Sequence, residues 1–394
     1  MLAECLTTTA SRQATLTLGA PPIATTSQRV LSLDVLRGFT MLWIVGGAEL
    51  VINAAKCLCG PACEVYPPFI AGLTRQLDHP EWEGFVAWDL IMPLFLFVVG
   101  AALPWAMAKR AQPGQPKATT YWRIARRVAV LWVLGMLVQE VRYQPDTMEV
   151  YSNTLQAIAV GYLVTSLALL HLSIRGQIGL LVGMVLGYGA LLMFAPFPGY
   201  AGGTLEADAN FPLWIDQLVL GNCRRNHAFT WVVSSIGFSA SVLIGAMAGH
   251  VLRRPTTATR KVLSFVAIGV PLAAAGWLWS YWLPINRHLW TSSMILWAGG
   301  WSFIILAVSY AVLDGMGFRR WAFPFTIIGA NALLAYSLDP LIEIWNRPLM
   351  RSIADCTPWD WPSPAIKLGA AIIEVGGLWL ICWVLYRRRI FLRA

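Results

Sequence analysis

The sequence predicts an all-α protein that crosses a membrane about ten times. Three observations carry that prediction. Hydrophobic residues make up 57% of the 394 and charged residues only 12%, about half the charged share of a soluble globular protein. The apolar residues gather in windows of roughly 20, the length of helix that a bilayer core of about 30 Å requires. Such windows are too long for barrel strands, and a helix satisfies its own backbone hydrogen bonds in lipid.

Ten windows fall near residues 36–55, 85–108, 121–141, 153–171, 176–195, 229–252, 262–283, 292–313, 321–345 and 365–386. Residues 1–28 are polar, rich in Thr and without the apolar core of a secretory signal, so they read as a flexible cytoplasmic tail. Residues 29–394 then form a single transmembrane helical domain.

The formal net charge is +9. Its distribution points to a membrane rather than to nucleic acid. Most Lys and Arg fall near both termini and in alternate connections, in runs such as Lys109–Lys117, Arg253–Lys261, Arg319–Arg320 and Arg387–Arg389. By the positive-inside rule both termini are cytoplasmic, and the connection carrying His79 faces outward. Cys57, Cys59, Cys63, Cys223 and Cys356 fall on that same outer face, where disulfides are permitted. Disulfides, free thiols and a zinc site are all compatible with the spacing "CLCGPAC", and the pairing is left open.

Ionisable groups in spans cost about 2.5–3.5 kcal/mol at the helix centre, so each needs a partner, a wet cavity or a role. The first window, "SLDVLRGFTMLWIVGGAEL", sets Asp34 and Arg37 three apart on one helical face. They read as an interfacial ion pair or, for Arg37, as fixed charge for a phosphate-bearing ligand. Glu49 lies toward the outer end of that window. The second window opens at Asp89, a carboxylate that suits either a helix cap or a functional anchor. Gln156, Asn331 and Glu374 are polar residues inside later windows, where interhelical hydrogen bonds are their ordinary use.

His79 sits in "LDHPEWEG", beside Asp78 and between Trp82 and Trp88. A lone surface histidine is ordinarily unremarkable. Its neutral imidazole can nonetheless accept a proton near pH 7, and a neighbouring carboxylate can orient it. The chain has no P-loop, no GxSxG, no HExxH and no GxGxxG opening a strand-to-helix turn. Nucleotide-driven chemistry is therefore not expected.

The ordered segments "LSLDVLRGFTMLW", "HPEWEGFVAWDLIMPLFLFVVGAALP", "NTLQAIAVGYL", "INRHLWTSSMILWAGG" and "FPFTIIGANALLAYSL" resemble the signature of the heparan-α-glucosaminide N-acetyltransferase family and its bacterial homologues, within the transmembrane acyltransferase superfamily. The resemblance runs from about residue 29 to 345. It implies acetyl transfer across a membrane, from cytoplasmic acetyl-CoA to the amine of glucosamine or a related amino sugar on the periplasmic side of a bacterial inner membrane. His79 matches the family's catalytic histidine, acting as general base in direct transfer or as nucleophile; direct transfer is preferred. Asp89 joins it as a catalytic residue. Glu49, Trp82, Asn286 and Asn331 become candidates for substrate binding, and Arg37, Arg123, Arg126 and Arg127 for the CoA phosphates. No metal is called for, and a homodimer is compatible with the resemblance alone. The chain departs from the family at "CRRNHAFTW", where an acidic segment is common. A small amino sugar or a cell-envelope glycan is therefore a better expected acceptor than heparan sulfate. The competing reading is an N-acetylglucosamine transporter, which ten helices with midplane polar groups would also suit.

Overall fold

A computed structural model describes residues 30–59, 67–110, 117–143, 148–224, 228–355 and 363–391. The expected tail at 1–28, the side chain of Cys59, and Cys63, Asn226, His227 and Cys356 lie outside the described residues. From Leu31 onward the helices form one compact unit.

Those residues are overwhelmingly helical, and the only extended pairings among them are two isolated bridges. The first span is α1 (Leu31–Leu42) and α2 (Ala48–Cys59), joined through a π-helical turn at Trp43–Gly47. A short α3 (Pro68–Gln76) follows, and a 3-10 turn at Ala87–Leu90 leads into α4 (Ile91–Arg110). Next come α5 (Lys117–Tyr143), α6 (Thr154–His171) and α7 (Ile174–Phe194). The short α8 (Phe211–Leu220) precedes α9 (Ser235–Arg253), α10 (Ala258–Trp279) and α11 (Ser292–Tyr310). The bundle closes with α12 (Phe323–Ala330), α13 (Ala332–Asp355) and α14 (Pro364–Arg387).

Among the described residues, eight helices are long and apolar enough to cross a membrane, or nine if α12 and α13, bent by 75° at Asn331, count as one span. With that bent pair counted, the window at 121–141 is the whole of the difference from ten. It forms a continuous 27-residue helix, α5. Arg123, Arg126, Arg127, Glu140 and Arg142 make that helix more polar than the other long helices.

α9 lies at the centre, with 78% of its most apolar window buried, against 22% for α10 and 17% for α14 at the periphery. α4 packs on α9 at very close range. A Cβ on Gly100 would strike the carbonyl of Val242, and one on Gly245 the carbonyl of Phe97. Small residues that let backbones approach this way are the main device for holding helices together in lipid.

Polar residues inside the windows resolve into particular structural roles. Gln156 accepts the backbone N–H groups of Ser152 and Asn153 at 2.9 and 3.0 Å and so closes the N-terminus of α6. It acts within its own helix end rather than between helices. Asp314 accepts from Leu31 and Ser32 and caps α1 from across the bundle. Arg253, Lys261 and Arg319 donate to the carbonyls of Pro104, Leu252 and Leu313. Part of the basic bias at that end therefore serves free carbonyl groups.

The first span is broken at Gly46, whose φ of 116° lies in the left-handed region. A Cβ there would also approach Val375 Cγ2 of α14 at 3.1 Å. Trp43 opens this turn, directly after the 12-residue α1, about 18 Å along the helix axis.

Candidate active site

The connection between α3 and α4 folds back over the bundle and is held at three points. Trp82 Nε1 donates to Leu205 O at 2.8 Å, Gly84 N to Ile285 O at 2.9 Å, and Ala87 N to the Gln76 side chain at 3.0 Å. Asp89 reaches back from the 3-10 turn, its Oδ2 accepting Val86 N at 3.0 Å. Its other oxygen, Oδ1, meets His79 Nδ1 at 2.6 Å. The carboxylate is thus both a cap and an anchor.

The Asp89 side chain is fully buried, whereas that of His79 is 35% exposed. As a carboxylate Asp89 can only accept, so the imidazole donates Nδ1–H and keeps its lone pair on Nε2. Nε2 has no hydrogen-bond partner among the described residues. This arrangement leaves Nε2 as the basic nitrogen of a ring that is partly exposed. The Trp88 ring lies 5.9 Å from that of His79 and in turn meets Trp43 at 6.1 Å. The dyad therefore sits near the break in the first span, linked to it through Trp88.

A second loop closes the site from the α10–α11 connection. Asn286 Oδ1 accepts the N–H groups of His288 and Leu289 at 2.8 and 3.1 Å, an Asx turn that fixes the loop. Trp290 is held at φ 53°, where a bulky residue is strained, by its Nε1 bond to Ser241 at 3.0 Å. Arg287 Nε lies 3.5 Å from the same Asp89 Oδ1 that takes His79. Its guanidinium also lies over Phe229, 5.0 Å from the ring centroid. Burial pulls the Arg287 pKa below its ordinary value, and Asp89 pushes it back up. The His288 ring stacks on Trp82 at 5.0 Å and packs against Phe229 at 4.5 Å. Burial, seconded by the Arg287 charge, lowers the His288 pKa to about 4. That imidazole is neutral at physiological pH.

Of the residues singled out in the sequence, His79, Asp89, Trp82 and Asn286 belong to these two docked loops. Trp82 offers less surface to a sugar than expected, because His288 covers one face and its N–H is already used. Glu49 is exposed and accepts from the Asn53 side chain at 3.1 Å. Asn53 is 2% exposed and went unread in the sequence. Asn331 lies at the bend between α12 and α13, donating to Ile390 O at 3.3 Å.

The four candidate CoA-binding arginines are divided between two helices, Arg37 on α1 and the other three on α5. Arg37 pairs with Asp34 at 3.5 Å and Arg127 lies over Tyr162 at 4.5 Å, while Arg123 and Arg126 are exposed on α5. Among the described residues, Cys57 and Cys223 form no disulfide. Glu374 belongs to a different polar group, with Asp339 and Glu343 around Arg142.

These features define a class: a polytopic all-α membrane protein with a partly buried histidine–carboxylate dyad. The comparisons narrow it. A family model described as a domain of unknown function (DUF5009) matches residues 29–204. Human heparan-alpha-glucosaminide N-acetyltransferase is 26% identical over 396 residues, covering 83% of this chain and 57% of its own length. The mouse protein of the same name is 24% identical, with 83% and 58% covered. The chain thus spans less than two thirds of the curated relatives it matches. The resemblance carried by the ordered motifs holds at family level.

Proposed function

We propose that the protein is a membrane-embedded N-acetyltransferase that moves an acetyl group from acetyl-CoA to the amine of glucosamine or a related amino sugar. The observation that carries this reading is the 2.6 Å contact between His79 Nδ1 and buried Asp89 Oδ1, at the position of the family's histidine. His79 Nε2 takes the proton of the amine as its nitrogen bonds to the thioester carbonyl carbon, and the C–S bond breaks with the electron pair leaving on sulfur. The imidazolium returns a proton to that sulfur. Direct transfer needs only proximity and a base; an acetyl-imidazole on a ring this exposed would meet water.

In this reading both termini are cytoplasmic and His79 faces the periplasm of a bacterial inner membrane. Arg123 and Arg126, exposed on α5, are the candidates best placed to meet phosphates, with Arg127 next to them in sequence and Arg37 contributing from α1. The decisive experiment is transfer of labelled acetyl from acetyl-CoA to glucosamine by purified protein, compared with His79→Ala. Transfer that survives the substitution removes His79 from the mechanism, and a labelled protein adduct trapped before acceptor is added removes direct transfer.

The transporter reading draws support from one feature, the 75° break between α12 and α13 at Asn331. Discontinuous helices of this kind line solute sites in transporters. Uptake of unmodified amino sugar into proteoliposomes without CoA would establish it.

A further inference from the structure

Three consecutive residues of the α10–α11 loop each carry a buried side-chain nitrogen without a hydrogen-bond partner among the described residues: Asn286 Nδ2, Arg287 Nε and His288 Nδ1. Asn286 is 2% exposed and its Oδ1 is already occupied by two backbone N–H groups, so its amide is fixed with both Nδ2 hydrogens unused. Arg287 is the stronger case. A guanidinium has five N–H donors, and among the described residues this one makes no hydrogen bond at all. Its nearest anion is Asp89 Oδ1 at 3.5 Å, the oxygen that holds His79 at 2.6 Å.

A partly buried cation with idle donors is costly unless something else uses them. Here the idle donors lie beside the base, walled by Trp82 and Phe229. Fixed donors next to a general base are what a developing oxyanion requires, and in a dry setting they act strongly.

We propose that Arg287, assisted by Asn286, is the oxyanion-stabilising group of this site, donating to the carbonyl oxygen of the acyl thioester. The inference rests on the acyl-transfer reading above. As the amine nitrogen bonds to the carbonyl carbon, the carbonyl π pair moves onto oxygen, where Arg287 and Asn286 donate to it. When that pair returns, the C–S bond breaks and sulfur leaves with its electrons, protonated by the His79 imidazolium.

The test has a readout that needs no turnover. Acetyl-CoA labelled with carbon-13 at the carbonyl is bound to purified protein without acceptor, and the carbonyl band is followed by difference infrared spectroscopy. The expected result is a band at lower frequency than in free acetyl-CoA, with that shift lost in Arg287→Gln and partly kept in Arg287→Lys. In parallel, kcat for Arg287→Gln falls about 100-fold, while KM values stay within about threefold. An unshifted wild-type band overturns the inference, as does an equal shift in Arg287→Gln or a raised KM with kcat intact. If Arg287→Gln does not fold, Arg287→Lys decides: a band and kcat identical to wild type overturn it. Absence of acetyl-CoA binding by the wild type instead sinks the acyl-transfer reading, and this inference with it.

Discussion

The imidazole of His288 lies flat on the indole of Trp82, with ring centroids 5.0 Å apart and planes 13° from parallel. This stack joins the loop that bears the dyad to the loop that bears Arg287, and the Gly84–Ile285 backbone bond runs beside it. Replacing Trp82 with Leu removes the stack and the bond to Leu205. The expected outcome is a fall in kcat of about tenfold or more, consistent with a displaced base, with thermal stability lowered. A normal kcat with a raised KM for the sugar would instead make Trp82 a plain binding platform.

The Asp89 carboxylate fixes which nitrogen of His79 is basic. Asp89→Asn keeps the shape but can present its N–H₂ to Nδ1, which favours the wrong tautomer. Activity is expected to drop about 100-fold. The acceptor KM should change little. Steady-state kinetics on protein of unchanged melting temperature checks this.

His288 gives a pH-dependent stability whose sign is fixed by its lowered pKa. In the unfolded chain it binds a proton below about 6.5, whereas in the fold it stays neutral down to about 4. Between those values the unfolded state holds more protons, so this residue's contribution to stability is full above about 6.5 and is lost as pH falls toward 4. Melting temperatures of His288→Asn and wild type, measured in detergent from pH 7.5 to 4.5, should diverge least at the acid end. A constant gap across that range would refute the account.

Arg142 is placed among Asp339, Glu343 and Glu374 within the helices, in direct contact with Asp339. Arg142→Met leaves those carboxylates without their cation, and removing one partner of a buried pair costs about 3–5 kcal/mol. The variant should melt well below wild type. Arg142→Lys should recover part of the loss.

The helices and both members of the dyad were legible in the sequence, the former through window length, the latter because a histidine and a carboxylate stood unexplained at the mouth of an apolar run. Their partners were not. Arg287 lies roughly two hundred positions from Asp89, and no local pattern announces a contact between loops that only the packing of α4, α9 and α11 brings together. One signal was available: "INRH" puts a cation on the less basic face of the protein, where the positive-inside rule gives it no reason to be. α5 shows the converse difficulty. Its charges suppress the apolar signal although its length is sufficient. Asn331 reads as a membrane-buried asparagine in the sequence, but the bend that places it beside Ile390 is a three-dimensional fact.

The dyad shows solvent only one of its members. With 35% of the His79 side chain exposed and none of Asp89, a reactant can touch the imidazole while the carboxylate stays covered. In the acyl-transfer reading, a proton gained on Nε2 passes directly to the leaving sulfur, with no chain of side chains to carry it.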